Sequence, residues 1–123
     1  MRGGVLPRAP PLALTLGYQR MREVEYSELS DAVGIGQRVA VVLLKNGSAL
    51  CRAAEASIRN TTFGFESMGY KVRLLNVSPE SQRDSRFSVV RVPQIRVFDG
   101  GRLTYKHIGA PSPEEVLEIT REL

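Results

Sequence analysis

The sequence predicts one α/β domain with the element order β-α-β-α-β-α-β-β-α, and three observations lead to this class. Arg38–Lys45 is a nearly continuous apolar run with charged ends, which is typical of a central strand covered on both faces. A segment of helical periodicity follows over residues 49–66. Near the carboxyl end, Gly100-Gly101 joins two strand-like runs, Gln94–Asp99 and Arg102–Ile108, as a tight hairpin.

The amino-terminal part of the patterned sequence contains one short strand and one helix before the central strand. Glu23–Tyr26 is the strand candidate, and Ser27 is placed to cap a helix over Glu28–Val33. The turn Gly34-Ile35-Gly36 ends that helix. The long helix after the central strand has one apolar face, formed by Leu50, Ala54, Ile58 and Phe65.

Two proline-containing starts define the remaining helices. Lys71–Val77 is the third strand, and Ser78-Pro79-Glu80 has the order of an N-cap, an N1 proline and a first-turn acid. This start predicts a short helix to about Phe87. Ser112-Pro113-Glu114-Glu115 is a capping box that opens the last helix. The residues of that helix expected to face inward are Val116, Ile119 and Leu123.

The composition indicates an ordinary globular domain without a nucleic-acid partner. Hydrophobic residues make up 42% of the chain and charged residues 24%. Of the net charge of +4, residues 1–20 carry three units as Arg2, Arg8 and Arg20, and the rest of the chain is close to neutral. No basic stripe with interleaved aromatic residues remains to bind nucleic acid. The single cysteine permits no intramolecular disulfide, so we expect a reducing, cytoplasmic setting.

Residues 1–20 are expected to be a leader outside the folded domain, which spans residues 21–123. Pro7, Pro10 and Pro11 interrupt any helix or strand, and Leu12–Leu16 is too short to cross a membrane. We expect this leader to be disordered or an artefact of gene-start choice, because Met21 opens the patterned sequence. Its arginines and lack of acids also suit a transit peptide, so organelle targeting stays an alternative.

Two carboxyl-terminal segments resemble the thioredoxin-like family. Phe87-Ser88-Val89-Val90-Arg91-Val92-Pro93-Gln94, followed by Phe98-Asp99-Gly100-Gly101, is similar to the family's proline segment and its glycine turn. Lys106-His107-Ile108-Gly109-Ala110 resembles the segment before the last helix. The likeness covers about residues 22–123. It implies the thioredoxin fold, with a central mixed sheet and helices on both faces, and a cis peptide bond between Val92 and Pro93.

The resemblance also implies a groove that binds an extended peptide, and it shows where the reaction centre departs from the family. The groove would be formed by Gly47, Val92, Pro93, Gly109 and Ala110. The family's Trp-Cys-x-x-Cys falls on Gly47-Ser48-Ala49-Leu50-Cys51, a degenerate Ser-x-x-Cys motif. The family's buried aspartate falls at Val42, and a lysine that often accompanies it falls near Leu74. Ordinary dithiol catalysis is excluded if this correspondence is right.

Cys51 and Ser48 admit two interpretations. Ser48 is a good N-cap for the long helix, and Cys51 then packs as a small apolar residue. Alternatively, a thiol in the first turn of a helix is favoured as a thiolate, and Cys51 would act as a monothiol nucleophile. A third possibility is a homodimer joined by a Cys51–Cys51 disulfide.

No metal or cofactor site is expected. His107 is the only histidine, and with one cysteine and no ligand spacing the sequence does not predict a zinc site. The leading hypothesis is therefore a protein that binds a protein or peptide partner through the groove, without dithiol catalysis. The alternative is a monothiol redox protein that uses Cys51 in mixed disulfides or peroxide sensing.

Overall fold

A computed structural model describes residues 22–45, 49, 51–52, 59 and 62–123 of the chain. In order, the elements are β1 (Arg22–Glu23), α1 (Tyr26–Gly34), β2 (Val39–Leu44), α2 (Thr62–Ser67), β3 (Lys71–Asn76), α3 (Pro79–Gln82), β4 (Gln94–Asp99), β5 (Arg102–Ile108) and α4 (Pro113–Glu122). The helix predicted over residues 49–66 is helical at every described position, including Cys51 and Arg59. The leader over residues 1–20 lies outside the described residues.

The five strands form one mixed sheet in the order β1-β3-β2-β4-β5. β2 pairs in parallel with β3 and antiparallel with β4, so the predicted central strand lies in the middle of the sheet. The β4–β5 hairpin turns at Gly100-Gly101, where both glycines have positive φ. The predicted α/β class and mixed sheet are confirmed.

The alternating side chains of β2 enter two separate cores, one on each face of the sheet. Ala40, Val42 and Leu44 face the core beneath α2 and α4, whereas Val39, Val41 and Leu43 face the core beneath α1. All six are buried. This is the physical basis of the continuous apolar run, because a strand covered on both faces has no solvent side.

The start of α1 differs from the prediction. The helix begins at Tyr26 with Glu25 as the N-cap residue, and no side chain caps it. The predicted N-cap at Ser27 is therefore wrong. The Tyr26 ring packs edge-on against Phe87 with 6.0 Å between centroids, and its hydroxyl donates to Asp84. These contacts with a distant segment hold Tyr26 in the first helical turn.

The two proline-led starts are confirmed, but α3 is shorter than predicted. The Ser78 and Ser112 hydroxyls each accept the backbone N–H three residues on, with proline at the start of the helix. α3 ends at Gln82 rather than near Phe87, since the Asp84 carboxylate accepts the backbone N–H of Arg86 at 3.0 Å and forms a turn there. Val116 and Ile119 of α4 are buried, as predicted. Within the described ranges no helix is both long and apolar enough to cross a bilayer.

Candidate functional site

Cys51 is a core residue. Its side chain is 3% exposed and belongs to the same apolar cluster as Phe65, Ile95 and Val116. As the single cysteine of the sequence, it cannot form a disulfide within the chain. Its small exposed fraction is the one expected if Cys51 packs as a small apolar residue.

The two positions that carry a proton acceptor and a lysine in the family are apolar neighbours here. Val42 and Leu74 are direct register partners on β2 and β3, and both are buried in the cluster that contains Cys51. An aliphatic pair cannot accept or supply a proton. Neither position provides acid–base chemistry beside the thiol.

The other half of the predicted motif lies outside the described residues. Gly47 and Ser48 are in the segment 46–48, so the expected capping role of Ser48 and the groove role of Gly47 stay predictions. Ala49 is exposed and helical.

The segments of the predicted groove meet at one end of the sheet. The Val92–Pro93 peptide bond is cis. The backbone N–H of Gly109 donates to the carbonyl oxygen of Pro93 at 2.8 Å, which continues the β4–β5 ladder by one bond beyond the strands. Val92 is half-buried and Ala110 is exposed. Gly109 has a φ of +90°, a conformation that favours glycine.

A cavity of about 340 Å³ lies against Val92, on the side of α3. The apolar part of its wall is formed by Val77, Pro79, Val89, Val90 and Val92. Lys45, Ser78 and Gln82 complete the described wall. We call this the Val90 cavity, because Val90 has a relative exposure of 101% and projects fully into solvent at its edge.

Gln82 holds the loop that carries Val90. Its side-chain oxygen Oε1 accepts the backbone N–H of Val89 at 2.8 Å, and its Nε2 donates to the backbone carbonyl of Val89 at 3.0 Å. This side chain thus pairs with the loop as a neighbouring strand would. The Val89 side chain packs in the core, and the Val90 side chain points into solvent.

Arg96 holds the same loop from beneath. It lies on β4, is 8% exposed, and donates to the carbonyl oxygens of Arg86 at 2.8 Å and Ser88 at 2.6 Å, and to Gln94 Oε1 at 2.7 Å. Burial lowers the pKa of the Arg96 guanidinium, which nevertheless stays protonated at neutral pH. The cation is satisfied by two part-buried backbone carbonyls and by the buried Gln94 side chain, so removing it would leave these acceptors without their donor.

A third anchor is the carboxylate of Asp84. It accepts the Tyr26 hydroxyl at 2.7 Å and the Arg86 guanidinium at 2.6 and 3.0 Å. Arg86 also donates to the Ser30 hydroxyl at 2.7 Å and lies over the Phe87 ring. Hydrogen bonds from the Arg86 guanidinium, above all, hold the pKa of Asp84 well below its usual range.

Gln82, Val90 and Arg96 were not identified as site residues by sequence reasoning. The arginine at a central position of β4 is the one signal that could have indicated a buried polar contact there. For Gln82 and Val90 the sequence contains no comparable signal, because their roles depend on how the loop before β4 folds back onto Gln82.

His107 faces the last helix and is separate from the groove. Its Nε2 lies 4.0 Å from Glu115 Oε2, and Ile95 is its register partner. The hydrogen bond from the backbone N–H of Ser112 is the main reason why the pKa of Glu115 is lowered. In the part of the chain described, no three histidine, cysteine or acidic side chains are grouped to hold a metal ion.

Two further cavities flank β1, at the sheet edge opposite β5. One of about 260 Å³ is lined by charged groups of both signs on α1 and β3, and one of about 480 Å³ is bordered by Glu23, Glu25 and Glu80. None of the residues predicted for the groove borders either cavity. Of these three cavities, the Val90 cavity shares a residue, Val92, with that groove.

No family model matches the chain, and no curated protein matches it. Solved structures do. Mitochondrial thioredoxin 3 from Saccharomyces cerevisiae aligns with a TM-score of 0.67 and 14% identity, over 87% of this chain and 99% of that one. A mutant thioredoxin from Halobacterium salinarum aligns with a TM-score of 0.64 and 16% identity, over 83% of this chain and 89% of that one.

A thioredoxin from Trypanosoma brucei brucei is similar to the same degree, with a TM-score of 0.64, 13% identity, and 85% and 88% of the two chains covered. TM-scores of 0.64 to 0.67 show a shared fold, whereas identities of 13% to 16% leave function to the residues of the site. Together with the sheet order and the hairpin described above, this structural similarity shows that the chain has the thioredoxin fold.

Proposed function

We propose that this chain binds a protein or peptide partner through the groove between Val92–Pro93 and Gly109–Ala110, without dithiol catalysis. The observation that carries the proposal is the hydrogen bond of 2.8 Å from the Gly109 N–H to the Pro93 carbonyl. It joins two backbone segments side by side at the end of the sheet. Because this bond occupies the Gly109 N–H and the Pro93 carbonyl, an extended peptide would add to the neighbouring backbone of Val92, which requires no thiol.

The placement of Cys51 supports a binding role over a redox role. A monothiol nucleophile has to meet its disulfide or peroxide partner, and Cys51 is buried among Phe65, Ile95 and Val116. The same burial argues against a Cys51–Cys51 disulfide between two copies. Val42 and Leu74 offer no proton acceptor near the thiol.

The experiment is a selection of random peptides displayed on phage against the immobilised full chain. Ala110→Trp is the blocking variant, because Ala110 is exposed and a large ring there fills the groove without disturbing the core. We expect enriched peptides to lose about tenfold or more in affinity for Ala110→Trp. Leu117→Trp, at an exposed residue of α4, is the matched control and should bind normally.

Cys51→Ser separates the binding function from the redox alternative. It removes the thiol nucleophile with little change in side-chain volume, so peptide affinity should be unchanged while the fold, followed by circular dichroism, is retained. Loss of binding in a folded Cys51→Ser protein would favour the monothiol function. Peptides that bind Ala110→Trp as well as the unaltered chain would show that the groove is not the binding site.

A further inference from the structure

We propose that the partner segment is an extended peptide with an aliphatic side chain flanked by acidic residues, and that the aliphatic side chain docks in the Val90 cavity. This inference rests on the proposed function and names the chemistry of its partner. It depends on three features of the described residues around the cavity. These are an exposed valine, a loop held by hydrogen bonds, and positively charged side chains with no acidic residue in the described wall.

The exposed valine is held outward by specific contacts. Gln82 binds both backbone groups of Val89, and Arg96 binds the carbonyl of Ser88. A loop fixed at Ser88 and Val89, next to Val90, loses little conformational entropy when a partner binds. Val90 is therefore presented as a preformed apolar contact at the edge of the cavity.

The cavity wall accepts an aliphatic group. Val77, Pro79, Val89, Val90 and Val92 supply the apolar lining. A volume of about 340 Å³ is at the small end of the range for ligand pockets and holds one or two side chains rather than a cofactor. Since Val92 also precedes Pro93 in the groove, a peptide added beside Pro93 would bring its side chains to this wall.

The charge around the cavity favours an anionic partner. Lys45 is part of the wall, and exposed Arg91 lies between two wall residues, Val90 and Val92. None of the described wall residues is acidic. The acidic residues nearest in sequence to the wall residues of α3 lie outside the wall. Glu80 borders the neighbouring cavity, and Asp84 is bound by Arg86 and Tyr26. Opposite charge across a docking surface selects partners and speeds association.

The test uses the phage selection on the unaltered chain, followed by a synthetic, fluorescently labelled peptide of the enriched sequence. We expect Leu, Ile or Val between Asp or Glu residues to be enriched, and the affinity of the peptide to fall as salt is added. Val90→Asp should weaken binding about tenfold or more, since it places a like charge at the apolar contact. A Lys45→Glu, Arg91→Glu double variant should instead enrich peptides with basic flanks.

All three substitutions are at exposed positions, so the fold should be retained. Leu103→Asp, at an exposed residue of β5, is the matched control and should leave peptide affinity unchanged. Enriched acidic peptides that bind Val90→Asp and the double variant normally would overturn the inference.

The failure of this inference is distinguishable from the failure of the proposed function. Peptides without acidic enrichment that still require Ala110 would overturn the inference and leave the groove function standing. Peptides that depend on Val90 but bind Ala110→Trp normally would overturn the groove function and support the Val90 cavity. No enrichment above an uncoated surface would overturn both.

Discussion

The Tyr26 hydroxyl donates to the Asp84 carboxylate at 2.7 Å across 58 residues of sequence. The same carboxylate binds the backbone N–H and the guanidinium of Arg86. One acid therefore connects α1 to the turn that ends α3. From that turn the chain continues into the loop of the Val90 cavity, so these bonds contribute to the shape of the candidate site.

Asp84→Asn should destabilise the protein in a pH-dependent manner. The pKa of Asp84 is lower in the folded protein than the value of about 3.9 expected in the unfolded chain. A carboxyl group with a lowered folded pKa contributes stability above its unfolded pKa, and this contribution is lost as pH falls toward the folded value. We expect a cost of about 2 kcal/mol in the free energy of unfolding at pH 7.

Urea denaturation at a series of pH values measures this effect. The difference between Asp84→Asn and the unaltered chain should narrow below about pH 4. Glu118→Gln, at an exposed residue of α4, is the control and should change stability at pH 7 by less than about 0.5 kcal/mol. A cost for Asp84→Asn that is the same at pH 7 and at pH 3 would contradict an ionised role for the carboxylate.

Arg96→Lys should be costly although it keeps the positive charge. Lysine lacks the planar fork with which Arg96 reaches the carbonyls of Arg86 and Ser88 together with the buried Gln94 side chain, so it leaves some of these acceptors unpaired. We expect a loss of about 2–3 kcal/mol in the free energy of unfolding. Arg102→Lys, at an exposed residue of β5, should change it by less than about 0.5 kcal/mol. Equal effects of the two substitutions, measured by denaturant titration, would show that the buried contacts add nothing.

Gly64→Ala should destabilise the contact between α2 and α4. A Cβ at Gly64 would lie 2.9 Å from Val116 Cγ1, which is closer than a Cβ atom comes to other heavy atoms in proteins. Val116 is buried. We expect a cost of about 1–3 kcal/mol from overpacking. Gly34→Ala at the end of α1 meets no atom within 4 Å, and should be neutral or stabilising by up to about 1 kcal/mol. Thermal unfolding of both variants measures the difference. A Gly64→Ala protein as stable as Gly34→Ala would indicate that α2 and α4 shift apart to admit the added methyl group at little cost in free energy.

Cys51 should react slowly with iodoacetamide in the folded protein. Its side chain is 3% exposed, so alkylation requires a local or global opening of the core. We expect the rate to rise about a hundredfold or more when urea unfolds the chain at the same pH. Rates of adduct formation are followed by mass spectrometry. A native rate equal to the unfolded rate would mean that the thiol is accessible, and the monothiol function would then replace the binding function.

The local pattern of the sequence was sufficient to predict the class, the hairpin and the starts of α3 and α4. Periodicity, the two Ser-Pro starts and the Gly100-Gly101 turn act over a few residues, so each is readable without the rest of the chain. Local rules failed at Ser27 and at the end of α3. At the start of α1, Asp84 binds Tyr26 from 58 residues away, whereas the Asp84–Arg86 turn that ends α3 spans two residues and is a local signal that the prediction missed.

The order of residues alone determined most of the secondary structure and the lack of a second cysteine. It also indicated the thioredoxin-like arrangement, through the Pro93 and Gly109 segments. Three other features required the folded chain: the burial of Cys51, the contacts of Arg96 with the carbonyls of the loop that precedes β4, and the projection of Val90 into solvent. The reason is physical. Helix and strand periods are local, whereas burial and hydrogen-bond partners depend on which distant segments the sheet brings together.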